Sequence, residues 1–289
     1  MSHYINYIIL TFISFFLSII PRFIKIFLGK CLGSLIYYIF PLRKKVAKIN
    51  IEIAFPHFSK NQIDKLILKS YQHYGILLFE FLSQKNDNIH NFLNPIDKIT
   101  EQNLSNKNGQ ILMTAHIGNW ELIIPIISRY KKIMGVAREQ KNSGADKFIK
   151  ENRSFVNVSL ISNKDSTKKM VSALLKKELL LLVCDQNAKS KGNKIEFFNK
   201  KSSFPKGPGH FYYLTKCKLL YGFCVLEENY KYKFKIRELN IKNNIEQKEE
   251  IIIEINRLYV EILEDIIKKY PEQYFWFHKK WDKEIYNNQ

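Results

Sequence analysis

The chain is poor in the residues that punctuate loops and in those that staple small folds. Of 289 residues only 11 are glycine and 8 proline, which excludes a collagenous or linker-rich chain. With 46% hydrophobic and 14% aromatic residues, disorder is excluded too. The four cysteines, Cys31, Cys184, Cys217 and Cys224, lie far apart with no C-x-x-C pair, so neither a disulfide framework nor a zinc cluster is expected. They read as reduced, buried thiols. No internal repeat at solenoid periods is visible, and no G-x-S-x-G elbow sets up a nucleophilic serine; Ser154, Ser159 and Ser162 stand in no comparable setting. Acidic residues are the remaining shortage. Asp and Glu number 27 against 46 Lys and Arg, giving +19, a surplus that favours a polyanionic partner: nucleic acid, an anionic membrane face or an acidic carrier protein.

What the chain has in quantity is an apolar amino terminus. Tyr4 to Ile20 is apolar and uncharged, slightly short of the roughly 20 residues a bilayer-spanning helix needs. Pro21-Arg22 interrupts it, and Phe23 to Phe40 continues apolar but carries Lys25 and Lys30, which suits an interfacial helix better than a second span. Residues 1–40 are therefore expected to be a membrane anchor and interfacial segment, and 41–289 a single catalytic domain. A cleaved signal peptide is the competing reading, but Ser18-Ile19-Ile20 offers no small-x-small site and no Lys or Arg precedes the run. The cations after the run, Arg22, Lys25, Lys30, Arg43, Lys44, Lys45 and Lys48, place the bulk of the chain on the cytoplasmic side.

Beyond the anchor, Ser59 to Gln62 has a capping-box pattern, and Ile63, Leu66, Ile67, Tyr71, Tyr74, Leu78 and Phe81 succeed it at helical spacing as a core stripe. Ile111 to Thr114, Ile133 to Ala137, Leu179 to Cys184 and Leu219 to Val225 are short apolar runs, separated by helical stretches such as Thr167 to Leu175. That alternation predicts an α/β fold with a largely buried sheet. Tyr230 to Leu239 alternates like a half-exposed strand, and Ile252, Ile255, Leu258, Tyr259, Ile262, Leu263 and Ile266 mark a long amphipathic helix.

The chemistry is concentrated in Thr114-Ala-His-Ile-Gly-Asn-Trp-Glu-Leu122. If Ile111 to Ala115 is a strand, His116 stands at its carboxyl end, where open α/β sheets place their ligands. Gly118 permits a tight passage, Asn119 can cap a helix beginning at Trp120, and Glu121 falls in its first turn. On one continuous helix His116 and Glu121 would lie about 140° apart; a strand–turn–helix junction removes that obstacle. The Glu121 carboxylate is then expected to hold one ring nitrogen and leave the other free to take a proton from a substrate hydroxyl. With no serine nucleophile, and with Cys184 lacking a neighbouring histidine, the expected reaction is direct transfer without a covalent enzyme intermediate. An isolated H-x-x-x-x-E is also compatible with a structural histidine near a helix start.

The sequence resembles the bacterial lipid A biosynthesis acyltransferases, the late lauroyl and myristoyl enzymes of the lysophospholipid acyltransferase superfamily. Besides His116-Ile-Gly-Asn-Trp-Glu121, the resemblance rests on Asn50-Ile-Glu-Ile-Ala-Phe-Pro56, Arg138 after a short strand, Asp185-Gln186-Asn187, and Pro271-Glu-Gln-Tyr-Phe-Trp-Phe-His278-Lys-Lys. It runs nearly end to end. It implies a mixed central sheet flanked by helices, as in glycerolipid acyltransferases, attachment to the inner membrane with the catalytic domain on the cytoplasmic face, and an acyl carrier protein thioester as donor. The implied acceptor is a Kdo-bearing lipid A precursor, acylated on the hydroxyl of an existing 3-hydroxyacyl chain, and no cofactor or metal is implied. Residue by residue, His116 matches the family's general base, Glu121 its partner acid, and Arg138 an arginine that binds the acceptor's phosphate or stabilises the oxyanion. Asp185 and Gln186 match an element near the pocket without an assigned role. Asn119 and the backbone N–H groups after it are further candidates for oxyanion stabilisation.

The chain departs from the family pattern at Glu139 to Asn142 and at His210, which ends Lys206-Gly-Pro-Gly-His210 where a small residue is expected. Both departures bear on the acceptor, so another glycolipid or a lysophospholipid is the alternative substrate. His210 reads as a loop histidine and His278 as a packing or hydrogen-bonding residue. The lysines of Lys189 to Lys206, interleaved with Phe197, Phe198 and Phe204, suit a membrane surface of anionic lipids more than a nucleic-acid groove. The rival class is a non-enzymatic basic protein that binds anionic membrane or nucleic acid and has no dependence on His116.

Overall fold

The computed structural model describes residues 2–137, 139–162, 167–241 and 245–287. Helices α1 (Ser2–Ile19), α2 (Arg22–Ile39), α3 (Lys44–Ala54) and α4 (Lys60–Ser83) come first, followed by α5 (Lys98–Ser105). Strand β1 (Gln110–Thr114) leads into the short α6 (Ile123–Ile127), then β2 (Ile133–Ala137), α7 (Ser143–Asn152), β3 (Val158–Ser162), α8 (Thr167–Leu175) and β4 (Leu179–Val183). A hairpin, β5 (Gly192–Phe197) and β6 (Lys200–Pro205), precedes α9 (Gly207–Thr215), β7 (Lys218–Leu226), β8 (Tyr232–Glu238), α10 (Lys248–Lys269) and α11 (Glu284–Asn287).

The main sheet has the order β3-β2-β4-β1-β7-β8, parallel except for β8, which runs antiparallel to β7. It is the mixed, helix-flanked sheet expected. Strand β1 is buried at every position, as a central parallel strand covered on both faces must be. Apolar clusters lie on its two sides, one with α3, α4, α10 and the terminal aromatics Trp276 and Trp281, the other with α6 and β8.

Helix α4 begins where the capping box placed it: Ser59 Oγ accepts from the Gln62 amide and Gln62 returns a bond to the Ser59 amide. Its stripe is core except at Leu78, which is exposed. Helix α8 has the boundaries the pattern gave.

Two segments differ from expectation. The Lys189 to Lys206 stretch is an antiparallel hairpin whose phenylalanines, Phe197, Phe198 and Phe204, are all buried, so it offers no aromatic surface to a membrane. Lys206 to His210 is the start of α9, not a loop. Gly209 is required there, because a Cβ would lie 2.7 Å from the Ile252 Cα of α10.

The apolar amino terminus forms two helices, α1 and α2, broken at Pro21. Among the described residues no single helix is long and apolar enough to cross a membrane; α2 and α3 pass that test only as a pair bent by 99°. Helix α2 is not merely surface-lying. Gly29 and Gly33 face Gly75 and Tyr71 of α4 so closely that a Cβ on Gly75 would meet the Gly29 carbonyl oxygen at 2.0 Å. Lys25, expected to mark an interface, is 1% exposed and bonds Asp87 and Ser83. The outer face remains apolar and open to solvent, with Phe12, Phe23, Phe27, Tyr38, Phe40 and Leu42 all more than half exposed.

Candidate active site

Strands β1 and β4 are parallel neighbours, with Thr114 paired to Val183 at their carboxyl ends. Two residues beyond each stand His116 and Asp185, and the shared register brings their side chains together: His116 Nδ1 and Asp185 Oδ1 are 2.8 Å apart. The Cys184 amide donates to the Thr114 carbonyl at 2.8 Å, carrying the strand pairing to the edge of the site. Gln186 Nε2 lies 3.5 Å from His116 Nε2, the ring nitrogen left free by Asp185.

This is a different carboxylate from the one expected. Glu121 does not hold the imidazole; its two oxygens take the Arg153 fork at 2.9 and 2.6 Å, and Trp120 Nε1 donates to it at 3.1 Å. The Trp120 indole stands edge-on to the His116 ring, with centroids 4.9 Å apart. Arg153 is a residue that sequence reading passed over, because it lies at the carboxyl end of α7, 32 positions from Glu121.

Burial works against protonation of His116. The charge and hydrogen bond of Asp185, with a smaller pull from Glu121, overcome it, so the imidazole pKa is raised above its usual 6.5. For Asp185, buried and 4% exposed, burial pushes the carboxyl pKa up, but His116 and Lys280 more than reverse this and hold it below its ordinary value. Lys280 was also missed. Its Nζ donates to the Asp185 carbonyl oxygen at 2.5 Å and sits 3.5 Å above the Phe204 ring, and burial pushes its pKa down to about 7.

The aromatic terminal segment is the clasp of the site. The Phe275 amide donates to the His116 carbonyl at 2.9 Å, Ile117 pairs with Tyr274, and the Gly118 amide donates to the Gln273 carbonyl. Asn50 ties that segment down by donating to the Trp276 and His278 carbonyls at 2.6 and 2.8 Å. His278 is thus a framework residue with burial lowering its pKa.

Gly118 has φ +58°, and a Cβ there would lie 2.0 Å from the Cys224 carbonyl oxygen, so only glycine makes this turn without strain. Asn119 does not cap a helix. Its amide donates to the Cys224 carbonyl at 2.7 Å and its Nδ2 to Glu80 at 3.2 Å. After Asn119 the chain makes a three-residue 3-10 turn and then the five-residue α6, too short to present a strong positive end. Arg138 lies outside the described residues.

Cys184 is buried, and burial together with the adjacent Asp185 charge pushes its thiol pKa far above the ordinary value, which disfavours the thiolate that a nucleophile needs. Cys224 is buried as well, whereas Cys31 on α2 is exposed, against expectation. Among the described residues no cluster of His, Cys, Asp and Glu could hold a metal ion.

A family model described as bacterial lipid A biosynthesis acyltransferase matches residues 1–283. The chain belongs to that family. No curated protein matches it closely. Membership makes this chain a lipid A acyltransferase by class.

Proposed function

We propose that the protein transfers a fatty acyl chain from an acyl carrier protein thioester to a hydroxyl of a Kdo-bearing lipid A precursor, with His116 as general base. The observation that carries this is the 2.8 Å contact between His116 Nδ1 and Asp185, which fixes the tautomer so that Nε2, beside Gln186, is the proton acceptor. The acceptor hydroxyl loses its proton to Nε2 as its oxygen attacks the thioester carbonyl. A C–O bond forms, the tetrahedral oxyanion collapses, the C–S bond breaks, and the proton passes from His116 to the departing thiolate. The high thiol pKa of Cys184 and the absence of a serine elbow favour this single-displacement course.

Asp185 takes the orienting role first expected of Glu121. Glu121, paired with Arg153, fixes the turn and adds negative charge near the imidazolium. Arg138 keeps its place in the proposal as the cation for the acceptor's phosphate or for the oxyanion.

The exposed apolar face of α1 and α2 supports seating on the cytoplasmic face of an inner membrane, and the +19 surplus supports anionic lipids and an acidic carrier as partners. Neither a cofactor nor nucleic acid enters the reaction. A second acceptor class, a lysophospholipid or another glycolipid, is carried by the departures at Glu139 to Asn142 and His210.

The test is to incubate membranes carrying wild-type, His116→Ala or Asp185→Asn protein with acyl carrier protein thioesters and tetra-acylated Kdo-lipid A precursor, then weigh the lipids by mass spectrometry. A gain of one acyl mass that depends on both residues is expected. Folded wild-type protein that acylates only a lysophospholipid or another glycolipid would replace the acceptor, and one that acylates none would overturn the reading.

A further inference from the structure

Glu80 of α4 is 2% exposed and takes no part in the transfer proposed above. Its carboxylate accepts from Arg22 Nε at 2.8 Å, with Arg22 Nη2 at 2.7 Å, from the Tyr232 hydroxyl at 2.5 Å and from Asn119 Nδ2 at 3.2 Å. The donors come from three places: the first residue of α2, the first residue of β8, and the turn that carries His116. Resting on the acyltransferase reading, we propose that Glu80 is a positioning residue that ties the apolar helix α2 to the catalytic turn through Arg22 and Asn119.

Arg22 stands immediately after Pro21, at the break between α1 and α2. Its guanidinium lies over the Phe92 and Tyr232 rings at 4.5 and 5.5 Å and donates to the Tyr230 carbonyl. One turn on, Lys25 makes a second ion pair with Asp87, just beyond the end of α4. An apolar helix packed through Gly29 and Gly33 needs no buried charges to adhere, and such pairs add little net stability because desolvation offsets attraction. What they supply is a single rotation and depth for α2.

Helix α4 passes that placement on. Tyr74 donates to the His116 carbonyl at 3.2 Å, His73 Nε2 contacts the Gly118 carbonyl at 3.4 Å, and Glu80 bonds Asn119. Burial pushes the His73 pKa down to about 4, so that ring is neutral. Three side chains of one rigid helix thus hold residues 116, 118 and 119. Among the described residues Asn119 Oδ1 has no partner, so the orientation of this amide rests on the acceptor-only carboxylate of Glu80. A glutamine there can donate as well as accept, and the amide loses its preference.

The experiment uses the full chain on phosphatidylethanolamine–phosphatidylglycerol vesicles and records kcat and KM for acyl transfer, vesicle retention and thermal unfolding. Wild-type transfer is read first; its absence would overturn the acyltransferase reading and not the present one. Glu80→Gln and Arg22→Gln are expected to lower kcat on the order of ten- to a hundred-fold, the cost of a slightly misplaced base. The acceptor KM and vesicle retention should stay near wild type, and Arg22→Lys should recover part of the rate. Glu80→Gln added to Asn119→Ser should cost no further activity, because the two act in series. Wild-type kcat in Glu80→Gln, or a loss in the double variant equal to the product of the two single losses, would overturn the proposal. Should Glu80→Gln fail to fold, the doubly neutral Arg22→Gln/Glu80→Gln variant carries the same comparison, and a wild-type kcat in it would be equally fatal.

Discussion

His116 and Asp185 stand 69 positions apart in the chain and 2.8 Å apart in space, each two residues past the end of a strand, with those strand ends paired through Thr114 and Val183. The parallel register therefore sets the geometry of the site. Replacing Asp185 by asparagine keeps the shape but removes the anion that selects the tautomer. We expect a loss of about 10³- to 10⁴-fold in kcat, as in other imidazole–carboxylate pairs, with the acceptor KM little changed. Steady-state kinetics of Asp185→Asn beside Glu121→Gln checks this: if Glu121 were the orienting acid, the second variant would show the larger kcat loss.

The pH profile tests the same pair. His116 must be neutral to accept a proton, and its pKa is raised, so kcat/KM should climb with pH through an apparent pKa above 6.5. Asp185→Asn should move that limb to lower pH, since burial then acts without the opposing charge. The stability linkage has the matching sign. The contribution from His116 is full below about 6.5 and is lost as pH rises through its raised folded value; that from Asp185 is full above about 3.9 and is lost as pH falls. Denaturant midpoints of wild type minus His116→Gln should therefore differ most between those two values.

Arg153 and Glu121 form a two-point ion pair whose side chains are 22% and 10% exposed. Arg153→Met leaves a largely buried carboxylate without its partner and should cost about 2–3 kcal/mol, below the fully buried figure because water reaches the arginine. Removing both charges with Glu121→Gln/Arg153→Met should cost less than Arg153→Met alone. Urea unfolding of the single and double variants measures the difference.

At Gly75 of α4 a methyl group would overlap the backbone of α2. Gly75→Ala must push the two helices apart and should destabilise the fold by about 1–3 kcal/mol, the usual range for overpacking, despite alanine's better helix propensity. A melting temperature at or above that of wild type would show that α2 is not packed as described.

Phe12 of α1 and Phe23, Phe27 and Phe40 on or just after α2 are each more than 60% exposed. Burial of one such side chain in lipid is worth about 1.5–3 kcal/mol. Phe23→Ser/Phe27→Ser is expected to lower partitioning to anionic vesicles at least ten-fold in a co-sedimentation assay, and raising salt should weaken what remains, since each basic residue near the surface contributes about 1 kcal/mol.

Much of the architecture was legible in the amino-acid order alone. The apolar runs at 111–114, 133–137, 179–184 and 219–225 are strands because a parallel sheet buried on both faces leaves no room for polar alternation. Capping chemistry fixed the start of α4, since a serine and a glutamine three residues apart satisfy each other's backbone donors. The β5–β6 hairpin was not legible: its turn lacks an Asn-Gly or Asp-Gly signal, and Phe198 and Asn199 adopt positive φ instead.

The candidate site divides along the same line. That His116 ends a strand beside a glycine turn can be read from residues 111–118 alone, because those are local properties of neighbouring residues. Which acid meets it depends on how the strands pair. Glu121 is close in sequence but turns to Arg153, while Asp185 is brought in by strand pairing. Asn119 has the same lesson: its cap-forming side chain is drawn to a buried carboxylate on α4. Hydrogen bonds at a strand end are allotted by which chains lie side by side, and sheet order is a property of the whole chain, not of any stretch within it.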